Sequence, residues 1–115
     1  MNSQKLKPIH PGRILKEEFL APTQISQAEL ARRMNVSLRR INDICQERRG
    51  ITFTTAYRLA HCFGMGPEGM DFWLNLQQRY ERECWKDYLV HHALEINKEL
   101  QPLSGKVNKS PISPI

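Results

Sequence analysis

No Cys-x-x-Cys pair occurs in these 115 residues. The three cysteines, Cys45, Cys62 and Cys84, are odd in number and widely spaced. That argues against a disulfide framework or a zinc site and fits a reducing cytoplasm. No apolar run approaches membrane-spanning length, and the polar, lysine-bearing stretch after Met1 lacks the apolar stretch of a secretion signal. There is no internal repeat, no glycine-rich phosphate loop and no strand-like alternation. Nor is there a nucleophile–base or metal-ligand spacing. His91 and His92 are adjacent and point apart on a helix, and Cys84 lies seven residues before His91, about two turns away. Glu17-Glu18 and Glu81/Glu83 read as solvated helix faces rather than a catalytic carboxylate pair. These absences leave a cytoplasmic, non-enzymatic protein that needs no cofactor or metal.

What is present is positive charge, and its placement matters more than its total. The formal net charge is +5 and the sequence pI about 9.4, which suits a polyanionic partner. From Ser26 to Arg58 there are seven arginines against three acids, whereas residues 79–100 carry four bases against five acids. The basic segment and the C-terminal segment therefore look built for different partners.

The length fits one domain. Residues 1–9 read as a flexible basic arm, 10–80 as the folded domain, 81–101 as a helical extension and 102–115 as a disordered tail. Pro11-Gly12 opens a helical pattern carrying Ile14, Leu15, Phe19 and Leu20, which Pro22 is expected to stop. Ser26-Gln27-Ala28-Glu29 has the form of a capping box. Leu30, Ala31 and Met34 then point inward, Asn35-Val36 turns, and Ser37 caps a helix with Ile41, Ile44 and Cys45 inside. Another helix starts at Thr52 and breaks at Gly64-Met65-Gly66-Pro67. A long one follows from about Met70 to Pro102.

Two helices, from Gln27 to Met34 and from Leu38 to Gln46, joined by so short a turn cannot pack antiparallel. They form the helix-turn-helix arrangement. The outward side of the second helix offers Leu38, Arg39, Arg40, Asn42 and Asp43, with Ser37 at its start. Arg39 suits a bidentate contact to guanine, Asp43 an acceptor role toward cytosine N4, and Leu38 a thymine methyl. Arg40, Asn42, Arg48 and Arg49 suit phosphates, as does Gln27 among the free N–H groups opening the first helix. The same pattern also describes an arginine-rich solvated helix in an ordinary bundle.

The stretch SQAELARRMNVSLRRINDI resembles the lambda-repressor-like (XRE-type) helix-turn-helix domains. With HPGRILKEEFLAP, RRGIT, TAYRLAHCFG and DFWLNLQQRY in order around it, residues 10 to 80 are similar to the HigA antitoxin family. The resemblance implies an all-α, five-helix lambda-repressor-like DNA-binding domain with an extended C-terminal helix. It also implies a homodimer that binds a palindromic operator in double-stranded DNA, represses its own operon and neutralises a HigB-type, RelE-like mRNA endonuclease toxin. A stand-alone XRE-type transcriptional regulator is the alternative. Four features depart from the family pattern. Arg13 replaces an acid and Thr54 an aspartate. Gln46-Glu47 replaces Asn-Gly, which removes a glycine stop and leaves the second helix free to run on. Gly69-Met70-Asp71 is an insertion that should lengthen the link to the last helix. That helix carries Trp73, Tyr80, Trp85, Tyr88 and Leu89, more apolar surface than one small domain can cover, and these five are the expected partner interface.

Overall fold

The computed structural model describes residues 7–104, and every regular element among them is a helix. Of the expected arm (residues 1–9) and tail (102–115), residues 1–6 and 105–115 lie outside the described residues. Five helices follow one another. Helix α1 is continuous over three stretches, Pro11–Ile14, the wider-wound Leu15–Leu20, and Ala21–Thr23. Then come α2 (Gln27–Met34), α3 (Leu38–Cys45), α4 (Phe53–Cys62) and α5 (Pro67–Lys98). No helix among the described residues is long and apolar enough to cross a membrane.

Helix α1 does not stop at Pro22, as the sequence predicts. In its middle stretch the turns widen, and the Ala21 N–H donates to the Lys16 carbonyl five residues back. This π-type winding carries the chain past a proline that has no N–H to give. The Thr23 hydroxyl then takes the Phe19 carbonyl at 2.6 Å, and Gln24 ends the helix in a left-handed conformation.

Helix α1 crosses the end of α3 at very close range. A β-carbon on Gly12 would lie 1.7 Å from the Ile44 carbonyl oxygen, so only glycine permits the approach. His10 caps α1, its Nδ1 accepting from the Gly12 N–H at 2.8 Å. Burial pushes the His10 pKa down, partly opposed by the Glu47 carboxylate. A protonated Nδ1 could not accept that bond. Because the folded-state pKa lies below the unfolded value, the unfolded chain takes up the proton first. Stability should therefore be full above the ordinary histidine value of 6.5 and fall as pH drops below it. Urea midpoints at pH 8 and pH 5.5 should show a loss on acidification that shrinks in His10→Asn, which keeps a capping acceptor without titrating. Equal pH dependence in the two proteins would refute this role for His10.

The core gathers one apolar face from each helix: Leu15 and Leu20 from α1, Leu30 and Met34 from α2, Ile41 and Ile44 from α3, Ala56 and Leu59 from α4, and Trp73 from α5. Helix α5 begins at Pro67, not near Met70. The insertion Gly69-Met70-Asp71 therefore does not lengthen a linker, because it forms part of the first turns of that helix. Gly69 is buried there, and a β-carbon on it would fall 2.4 Å from the Met65 and 2.8 Å from the Ala60 β-carbon. The helix ends at Lys98, ahead of Pro102.

Candidate nucleic-acid interface

Each helix of the α2–turn–α3 unit starts on a serine. The Ser26 hydroxyl accepts from the Glu29 N–H at 3.0 Å, and the Ser37 hydroxyl from the Arg40 N–H at 3.1 Å. Only half of the expected capping box forms. The Glu29 carboxylate turns instead to Arg32 and Arg33, with closest approaches of 2.6 Å, and those hydrogen bonds hold its pKa at about 2. Between the helices Asn35 adopts the left-handed region at φ 57°, and the Val36 N–H returns to the Ala31 carbonyl at 3.0 Å. Ala31, Leu30 and Met34 face Ile41 and Ile44 within the core, which sets the two helices at their angle.

The end of α3 answers the question raised by the missing glycine. The helix stops at Cys45 and does not run on, because Glu47 itself takes the left-handed position at φ 64°. The Glu47 N–H bonds the Ile44 carbonyl at 3.0 Å and the Arg48 N–H bonds the Asp43 carbonyl at 2.8 Å, a Schellman closure. A residue with a β-carbon is strained in that conformation. Glu47→Gly should therefore stabilise the domain by about 1 kcal/mol, read as a rise in urea midpoint at unchanged slope. A midpoint at or below that of the parent would contradict the strain.

An open hollow of about 990 Å³ lies across the exposed side of the unit. Six of the nine sequence-predicted DNA-facing residues line it: Gln27, Leu38, Arg39, Asn42, Asp43 and Arg48. Ser37 sits at the adjoining cap, while Arg40 is half-buried and Arg49 exposed outside the hollow. Leu38 is 51% exposed and the Arg39 side chain 90% exposed. The Asn42 amide donates to Gln27 Oε1 at 3.2 Å, pinning the start of α2 to the middle of α3.

Asp43 is not idle in this arrangement. Its Oδ1 accepts from Arg48 at 2.8 and 3.2 Å, and its Oδ2 lies 3.8 Å from Arg39 Nε. Arg48 also donates to Asn42 Oδ1 at 3.2 Å and to Gln46 Oε1. Asp43 is thus placed to orient Arg48, while Arg39 stays within ion-pair range but without a hydrogen bond to it. The sequence reading missed this because Arg48 lies beyond the helix end, where face periodicity no longer predicts contacts. Ala28, which also lines the hollow, was missed as well. It carries no signal beyond being small and next to Gln27.

Three long-range bonds hold the unit in place. Gln77 Oε1 of α5 accepts from the Ile51 N–H at 2.8 Å, directly after the Arg48-Arg49-Gly50 loop. Arg58 of α4 donates to the Met34 carbonyl at 2.7 Å, and the Cys62 thiol to the Arg33 carbonyl at 3.4 Å. Both carbonyls belong to the last turn of α2, which has no helical partners for them.

The five residues expected at a partner interface separate into two groups. Trp73 is wholly buried in the chain's own core and so presents nothing to a partner, whereas Tyr80 is half-buried and packs edge-on against His10 at 4.8 Å. Trp85, Tyr88 and Leu89 are exposed on the half of α5 that leaves the domain, as are Val90 and Leu94.

Residues 18–69 match the family model described as helix-turn-helix. The chain is 46% identical over 77 residues to virulence-associated protein I of Dichelobacter nodosus, covering 67% of this chain and 68% of that protein. It is 36% identical over 78 residues to antitoxin HigA-1 of Vibrio cholerae, covering 67% and 70%. Among solved structures it is similar to Pseudomonas aeruginosa antitoxin HigA with the higBA promoter, at 40% identity and a TM-score of 0.67, covering 84% of this chain and 99% of that one.

Proposed function

Because the chain belongs to the helix-turn-helix family of the HigA antitoxins, we propose that it is an operator-binding antitoxin that represses its own operon and neutralises a HigB-type, RelE-like mRNA endonuclease in the cytoplasm. The DNA half rests on one observation above others. The exposed start of α3 brings Leu38 and the freely projecting Arg39 together beside Gln27, Asn42 and Asp43 in one open hollow. In this reading α3 enters the major groove, Arg39 reads a base, and Arg40, Arg48, Arg49, Gln27 and Ser37 hold the backbone. Two copies bind a palindrome with their α3 helices one turn of duplex apart, roughly 34 Å.

The toxin half rests on family membership and on the projecting part of α5. Most helix stability comes from the packing of an apolar face, and Trp85, Tyr88 and Leu89 give the projecting part an apolar side that the domain does not cover. The toxin is proposed to lie there. Two measurements test the proposal. Selection from a random DNA pool should return a two-fold symmetric site, and binding to it should weaken steeply with salt. If a short basic reading frame adjoins this chain's gene, joint expression with it should give a complex that Leu89→Asp weakens. An asymmetric or absent consensus would overturn operator binding by a two-fold dimer. A selected palindrome without any co-purifying partner would leave a stand-alone regulator.

A further inference from the structure

One face of α5 steps by single turns from the core to the loop that follows α3. Trp73 is wholly buried and fixes how the helix is turned, and Gln77 and Glu81 follow it at intervals of four. Gln77 Oε1 accepts from the Ile51 N–H at 2.8 Å, and its Nε2 donates to Glu81 Oε2 at 2.9 Å. Together the two bonds fix which way the amide faces, since a flipped amide would set donor against donor and oxygen against carboxylate. We propose that Gln77 is a positioning residue for operator binding, holding the Arg48-Arg49-Gly50 loop where its arginines meet the duplex backbone. The inference rests on the operator-binding reading above and adds a residue of α5 that acts through the loop without touching DNA.

Two bonds bracket the loop. At its start the Arg48 N–H donates to the Asp43 carbonyl at 2.8 Å. At its end Ile51, with only 4% of its surface exposed, is anchored both by its buried side chain and by Gln77. Arg49 and Gly50 alone lie between these fixed points. A loop already held in its binding position has less freedom to lose on the duplex. Gly50 shows how closely the amide is seated. A β-carbon there would lie 2.8 Å from Gln77 Nε2 and 2.9 Å from its Oε1. The loop backbone therefore rests directly on the Gln77 side chain, and a methyl group at position 50 would push the amide aside.

The setting of the bond favours placement over stability as its role. An open hollow of about 520 Å³ borders it, with Ile51, Gln77 and Glu81 in its lining. Water entering there can take the Ile51 N–H once the side chain is cut back, so little folding energy depends on Gln77. That water satisfies the donor without tying the loop to α5.

Fluorescence titrations of the selected operator duplex with the full chain, over a range of salt concentrations, test the role. Gln77→Ala should weaken binding about three- to tenfold and lower the salt slope by up to about 1. Its preferences among single-mismatch duplexes and its urea midpoint should stay close to those of the parent. Gly50→Ala should reproduce the loss by displacing the amide, and should add nothing in a Gln77→Ala background, where the methyl has room. The exchanged pair Gln77→Glu/Glu81→Gln, which returns an acceptor to Ile51 and a donor to that acceptor, should bind like the parent. Gln77→Ala protein with the parent's affinity and salt slope would overturn the inference alone. So would a loss that the exchanged pair does not restore, or one fully accounted for by the fraction of unfolded protein. A parent chain that selects no duplex would overturn the operator reading together with the inference.

Discussion

Trp73→Ala is expected to destabilise the domain by about 3–5 kcal/mol, the usual loss when a fully buried large aromatic is truncated. The indole is completely inaccessible and sits where α1 meets α5. Its ring centroid lies 4.8 Å from that of Phe19 and 5.1 Å from that of Phe72, and its Nε1–H points to the Met65 sulfur at 3.3 Å. Truncation removes the packing of both neighbouring rings and leaves a void that rigid helices close poorly. Small domains have roughly 5–15 kcal/mol in total, so the variant should be marginal at 37 °C. Urea unfolding followed by far-UV circular dichroism gives the number. Trp85→Ala provides the contrast, because that ring is 59% exposed, and a change within about 0.5 kcal/mol is expected. A Trp73→Ala loss below about 1 kcal/mol would show that the indole is not the keystone its burial suggests.

Arg39→Ala should weaken binding to the selected operator by about 1–3 kcal/mol, roughly 5- to 150-fold, and relax the preference at one base pair per half-site. The side chain is the most exposed of the arginines in ion pairs, at 90%, and its closest acid is 3.8 Å away, too far for a hydrogen bond. It is therefore free to meet a base edge at little cost. Arg49→Ala is the control, since a phosphate contact should be lost uniformly across sequences and lower the salt slope by about 1. Fluorescence titrations with matched and single-mismatch duplexes separate the two behaviours. Arg39→Ala binding that stays as tight and as selective as the parent would remove Arg39 from the reading set.

The local grammar of the site was legible in the sequence. Ser26 and Ser37 precede their helices as caps, and Asn35 is a residue that tolerates the left-handed turn. The arginine-rich face and its helix boundaries followed from these. What the sequence concealed depends on contacts between distant residues or on strain. Nothing in LKEEFL announces a π-type turn, because the signal is the compensation it offers for Pro22. Glu47 occupies a position that favours glycine, held there by two backbone bonds and by the docking of α1 over Ile44. The aromatic stripe of α5 was visible as one feature. Its division between core and surface at about Cys84 depends on where the other four helices end, which no local pattern records.

If α3 enters a major groove as proposed, the bonding of Arg48 makes that entry an exchange reaction. Before it can approach a phosphate, the guanidinium must release some of its four acceptor contacts, to Asp43, Asn42 and Gln46. Part of the gain on the duplex therefore offsets bonds already present in the free protein. Arg48→Ala is therefore expected to cost operator binding less than Arg39→Ala, although both residues carry the same charge. In that reading the release would also leave Asp43 Oδ1 without its Arg48 donors. The carboxylate then repels backbone phosphates unless the site offers it a donor, so a mis-registered duplex incurs a loss that a matched one avoids. On the proposed reading, discrimination against bulk DNA would thus be built into the resting hydrogen bonds of the free protein.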